Sequence, residues 1–137
     1  LNELPQSFGK LRCSSALKLA SCESLVCLPD SIVELAMLKT LTIRYCTKLC
    51  GLPKDFGRLS SLEKMAVRDC PSIEELPRGF GALPALKILT LENCSALVKL
   101  VAGFGQLACL EQLNLVNLLL SCYPDDFGNL KRLNKLY

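Results

Sequence analysis

Apolar side chains recur along this chain in a pattern that suits neither one long amphipathic helix nor a run of alternating strands. They fall at Leu35, Leu38, Leu41, Ile43 and Cys46, again at Leu59, Leu62, Met65, Val67 and Cys70, and again at Leu83, Leu86, Leu89, Leu91 and Cys94. Leu11, Leu17, Leu19 and Cys22 follow the same template, with Ser14 in a slot that is apolar elsewhere. Each copy opens on a related phrase, at residues 4–11, 28–35, 52–59, 76–83, 100–107 and 123–130, so that successive starts lie 24, 24, 24, 24 and 23 residues apart. An amphipathic helix repeats every ~3.6 residues and a half-buried strand every ~2. A fixed period of 24 with one short L-x-L segment per copy instead describes stacked like units, none of which can bury its apolar face alone.

The period predicts parallel strands near residues 17–19, 41–43, 65–67, 89–91 and 113–115, with short helical or 3₁₀ turns after each Leu-Pro. This is the leucine-rich-repeat signature, and it spans the whole chain. The resemblance implies an α/β solenoid: a right-handed coil with a parallel concave β-sheet and short helical, 3₁₀ or irregular convex segments. About five 24-residue repeats and a partial one fill a single domain, 1–137, expected to be a fragment of a longer array without a polar cap at either end. All five phenylalanines, Phe8, Phe56, Phe80, Phe104 and Phe127, share one repeat position with Ile32, which predicts a buried spine and not a base-stacking row. The glycine after each aromatic is expected to serve either a positive φ or a close backbone approach.

Cys22, Cys46, Cys70 and Cys94 stand one period apart, just after each L-x-L segment. A small side chain turned into the core fits that place, its thiol making a weak hydrogen bond to turn backbone. Four sulfurs in a line at strand spacing, about 4.8 Å, make no tetrahedral shell, so no metal is expected. Nine cysteines without a C-x-x-C pair and in odd number argue against a closed disulfide framework and point to a reducing, cytoplasmic setting.

Composition narrows the function by subtraction. Histidine and tryptophan are absent, which removes the commonest general base and the best stacking platform. The adjacent Glu74 and Glu75 diverge in an extended segment and are poor partners for acid–base work. No catalytic, cofactor or enzyme role is expected. A formal charge of +3 is mild for a chain that covers phosphate backbones, and no apolar run is long enough for a membrane span, so neither a nucleic acid nor a membrane is an expected partner.

What remains is the sheet. Residues alternating with the inward leucines form outward columns: Ala16, Thr40, Lys64, Ile88, Gln112; then Lys18, Thr42, Ala66, Thr90, Asn114; then Ala20, Arg44, Arg68, Glu92, Val116. Tyr45, Asp69, Asn93 and Asn117 extend this surface by one column. Variation gathers here while the inward columns stay leucine-like. Arg44 and Arg68 on neighbouring strands repel unless an acid intervenes, and Glu92 can take Arg68, leaving Arg44 with Asp69 as a local alternative. The candidate protein-binding residues are Lys18, Thr42, Arg44, Tyr45, Lys64, Arg68, Thr90, Glu92 and Asn114. Two readings stand side by side: a solvated face whose charges prevent aggregation, and an acidic docking point for a protein ligand.

The phrase Leu52-Pro53-Lys54-Asp55-Phe56-Gly57-Arg58-Leu59, joined to the Cys-ended Leu62-Glu63-Lys64-Met65-Ala66-Val67-Arg68-Asp69-Cys70, resembles the repeats of plant intracellular immune receptors of the nucleotide-binding type. Plant surface receptor kinases carry N-x-L-x-G-x-I-P after the strand, which this chain lacks. The resemblance implies a module that senses a pathogen effector or an altered host protein and holds the receptor inactive, with the receptor's own nucleotide-binding domain as a further partner. Val101 in the proline slot and Leu118 in the cysteine slot depart from the pattern. A signalling scaffold similar to the Ras-group leucine-rich-repeat adaptors, and a substrate-recruiting segment of a ubiquitin ligase, are the alternatives.

Overall fold

The computed structural model describes residues 2–137. Six strands, β1 (Ala16–Ala20), β2 (Thr40–Arg44), β3 (Lys64–Arg68), β4 (Ile88–Glu92), β5 (Gln112–Asn114) and β6 (Lys135–Leu136), lie in sequence order in one parallel sheet. Their register is the period itself: Leu17 faces Leu41, Leu41 faces Met65 and Met65 faces Leu89. The expected strands are all present, and most run one residue further at each end. Leu115 falls just beyond β5, although its N–H still donates to Tyr137 O at 2.9 Å.

Between strands the chain makes 3₁₀ turns, η1 (Gln6–Lys10), η2 (Asp30–Glu34), η3 (Phe56–Arg58), η4 (Arg78–Ala82), η5 (Phe104–Gln106) and η6 (Phe127–Asn129). Proline sets their entry. Pro5, Pro29 and Pro77 hold φ at −67°, −65° and −64°, and their carbonyls accept from Phe8, Ile32 and Phe80 N–H at 2.9, 3.0 and 2.9 Å. Val101 makes the same bond to Phe104 N–H at 3.1 Å without a proline, helped by Gly103 at φ +86°. The departure at Val101 therefore changes the local residue and leaves the turn in place.

The inward leucines, Ile32 and Met65 form one continuous core with Phe56, Phe80 and Phe104 fully enclosed. The phenylalanine rings stack nearly parallel, with centroids 5.9, 6.1 and 6.2 Å apart from Phe56 through Phe80 and Phe104 to Phe127. Phe8 and Phe127, at the two ends of the row, are only partly covered. The glycines beside Phe8, Phe56, Phe80 and Phe104 serve close approach, not positive φ. A Cβ on Gly81 would overlap the carbonyl of Gly103 on the next turn, whereas one on Gly128, in the last turn, would meet nothing within 4 Å.

A second line of parallel contact was not expected. Glu3 bridges Cys27 and Lys99 bridges Cys122 on the flank where the chain leaves the sheet. Among the described residues no helix is long and apolar enough to cross a membrane.

Candidate functional site

The outward face of the sheet is built by strand alternation. Leu41 and Ile43 of β2 are fully buried, and Thr40, Thr42 and Arg44 between them are half-buried and turned outward. Lys18 and Lys64 are exposed, and Arg68, Glu92 and Asn114 half-buried. Thr90 shares this side but is only 7% exposed, so it offers a partner little surface. Tyr137, whose N–H donates to Leu113 O at 3.0 Å, continues the Asn114 column, and Lys135 continues that of Gln112.

The charges sort themselves as the column order suggests. Arg68 Nε donates to Glu92 Oε2 at 3.1 Å, one strand over. Arg44 faces Arg68 in register, with Ala20 on its other side, and makes no ion pair among the described residues. Its Nε is buried and has no hydrogen-bond partner there. Asp69 does not serve as its acid: Asp69 Oδ1 instead accepts from Asn93 Nδ2 at 2.7 Å. Arg44 turns to Tyr45, with its guanidinium 5.2 Å from the ring centroid and Nη2 3.3 Å from the phenol oxygen.

The fourth column is more than added surface. Ser21, Tyr45, Asp69, Asn93 and Asn117 all hold φ between 54° and 56°, the left-handed conformation that turns the chain out of each strand. The N–H groups of the first four still extend the sheet, as Tyr45 does to Arg68 O at 3.1 Å and Asp69 to Glu92 O at 3.0 Å. Asn and Asp tolerate this region through short local hydrogen bonds. Asn117 Nδ2 continues their chain to Asn93 Oδ1 at 2.9 Å. Tyr45 has no such help, and its backbone carries about 1–2 kcal/mol of strain.

Next to this column sit the thiols. Cys46, Cys70 and Cys94 are buried and Cys22 is partly exposed. Each sulfur lies near the carbonyl two residues back, at 3.5 Å from Arg44 O, 3.2 Å from Arg68 O and 3.4 Å from Glu92 O for the buried three. Burial raises all three pKa values, that of Cys70 from 9.0 to about 12. No group of three or more Cys, Asp or Glu side chains among the described residues is placed to hold a metal.

One row on the sheet's entry side escaped the sequence reading. Lys39, Glu63, Lys87 and Glu111 alternate in sign at the period, and Lys87 Nζ reaches Glu63 Oε2 at 3.0 Å. That bond lowers the Glu63 pKa and raises that of Lys87. The 24-residue spacing of opposite charges was the signal for it. Away from the sheet, two open hollows lie beside the Leu-Pro segments, one near Cys27, Asp30 and Cys50, the other near Lys99, Gly103 and Tyr123. Their linings mix charges of both signs.

No protein-family model matches this chain, and no curated protein matches it either. Solved structures do. The plant peptide hormone receptor RGFR1, in complex with RGF2, aligns with 97% of this chain at TM-score 0.71 and 23% identity. The leucine-rich repeat domain of the type III effector XopL aligns with 99% at TM-score 0.60 and 23% identity. TLR13, in its complex with ssRNA13, aligns with 96% at TM-score 0.50 and 22% identity. This chain spans 22%, 64% and 26% of those three chains, respectively. The likeness establishes the leucine-rich-repeat solenoid.

Proposed function

We propose that this chain is a protein-recognition segment of the kind found in plant intracellular immune receptors of the nucleotide-binding type, working in the cytoplasm. Its ligand is a pathogen effector, a guarded host protein or the receptor's own nucleotide-binding domain, met across the outward face of the sheet. The observation that carries the reading is the contrast between uniform inward columns and an outward face whose cations Lys18, Arg44 and Lys64 have no acid partner among the described residues. A face that only kept the protein dispersed would gain by mixing signs, as the Lys39 to Glu111 row does. The period, the L-P-x-x-F-G-x-L phrase and the strand-end cysteines support the receptor class, and nine thiols without a disulfide suit a reducing compartment.

Cations on this face raise the encounter rate with an acidic partner and make that rate depend on salt. Arg44→Glu and Lys64→Glu should therefore slow association with a nucleotide-binding domain or a candidate effector, and flatten its salt dependence. Lys54→Glu, on the side of the 3₁₀ turns, should leave both unchanged. Equal behaviour of all three in a stopped-flow salt series would remove the sheet face as the recognition surface.

A further inference from the structure

We propose that Arg44 and Tyr45 form a ready-made anchor for a side-chain carboxylate of an acidic partner segment. The proposal rests on the sheet face being a recognition surface and names the chemistry it selects.

Asp69, Asn93 and Asn117 link their side chains along the column, and the line stops at Tyr45, the one bulky residue among the five at positive φ. The turn out of each strand imposes this φ on all five residues, and at Tyr45 it costs strain that Asn or Asp largely avoids. Here the ring lies under the Arg44 guanidinium at 5.2 Å and the phenol oxygen meets Nη2 at 3.3 Å. The cation is thus held in one pose without an acid. Stacking of this sort leaves a guanidinium's charge intact.

Three features of the neighbourhood leave that charge uncompensated. Arg68, opposite in register, is committed to Glu92 at 3.1 Å; Ala20, on the other side, carries no charge; and Asp69 is committed to Asn93 at 2.7 Å. The buried Nε–H lacks an acceptor, so the resting pose leaves one donor unsatisfied. A carboxylate crossing the small side chains Thr42 and Ala66 would meet the guanidinium in the pose the ring holds and accept from its remaining Nη donors with both oxygens. It would also relieve the repulsion between Arg44 and Arg68. Lys18 and Lys64 flank the approach on β1 and β3 and favour a segment with several acids.

The test uses the whole chain and two capped synthetic peptides, a Glu-Ser repeat and its Gln-Ser counterpart, titrated by amide NMR at low salt. The Glu peptide should shift the amides of Thr42, Arg44, Tyr45 and Ala66, and the Gln peptide should bind at least about tenfold more weakly. Arg44→Lys keeps the charge and removes the fork, so it should also lose about tenfold. Tyr45→Asn suits the positive φ, keeps the fold and should weaken binding through loss of the preset pose. Equal binding of the two peptides, full affinity in Arg44→Lys, or no shifts with millimolar Glu peptide would each overturn the anchor. A protein partner that responds to Lys64→Glu while ignoring Arg44→Lys would overturn the anchor alone. If Arg44→Glu and Lys64→Glu match Lys54→Glu, the recognition surface itself falls.

Discussion

A thiol in the core behaves as a small apolar group until it must ionise. Cys70 shows this most clearly, because burial is the largest influence on it and pushes its pKa from 9.0 to about 12, with Cys46 and Cys94 raised in the same direction. The unfolded chain gives up these protons near pH 9, and the folded one holds them longer. Protonation therefore favours the fold: the contribution is complete below about pH 9 and is lost as pH rises from 9.0 toward about 12. Denaturant midpoints should fall across that window and fall less in Cys70→Ala, measured against its own value at pH 7. The same shielding should make Cys46, Cys70 and Cys94 slow to label in native protein while Cys27 and Cys50, both exposed, react at once. Rapid labelling of the buried three without denaturant would contradict the core assignment.

At the scale of the element, successive 3₁₀ turns approach each other closely at the residue after the aromatic. Glycine after the aromatic permits that contact at Gly9, Gly57, Gly81 and Gly105, while Val33 fills the same place in η2 and Gly128, in the last turn, has nothing to meet. Gly81→Ala forces a methyl into the Gly103 carbonyl and should destabilise by about 1–3 kcal/mol through overpacking. Gly128→Ala meets open space, and a thermal melt should find it neutral or slightly stabilised by the loss of unfolded-state freedom. Equal losses at the two positions would mean that intrinsic backbone preference, and not the contact between turns, selects glycine. Both explanations fit the sequence, because a glycine column by itself does not distinguish them.

At the scale of the whole molecule, elements among the described residues touch only those of adjacent turns, so the array is close to one-dimensional. A side chain between two neighbours stabilises two interfaces, and one in an end turn stabilises about one. Phe56, fully buried, lies in the aromatic column between Ile32 and Phe80; Phe8, in the first turn, is partly covered. Phe56→Ala should cost about 3–5 kcal/mol, and Phe8→Ala clearly less. Unfolding in urea at constant slope gives the comparison, and similar losses would show that burial is even along the coil.

The fold and the sorting of inward from outward residues were legible without coordinates, because a solenoid repeats one environment per turn and a 24-residue period reports that environment directly. The Arg68–Glu92 pair was legible for the same reason: register between neighbours equals the period, so two residues 24 apart are adjacent. Other outcomes needed the third dimension. Left-handed φ at Tyr45 is invisible in a column that also holds Ser, Asp and Asn, and Thr90 is closed off by neighbours that its outward position does not reveal. Arg44 had two choices, Asp69 along the turn or no acid at all. Asp69 was instead taken by Asn93, a competition settled by side-chain geometry along the column. The sequence alone determined which residues share a face, since that follows from chain periodicity; tertiary structure decided which of them pair and which stay unsatisfied, since each polar group can spend its hydrogen bonds on several neighbours at once within reach.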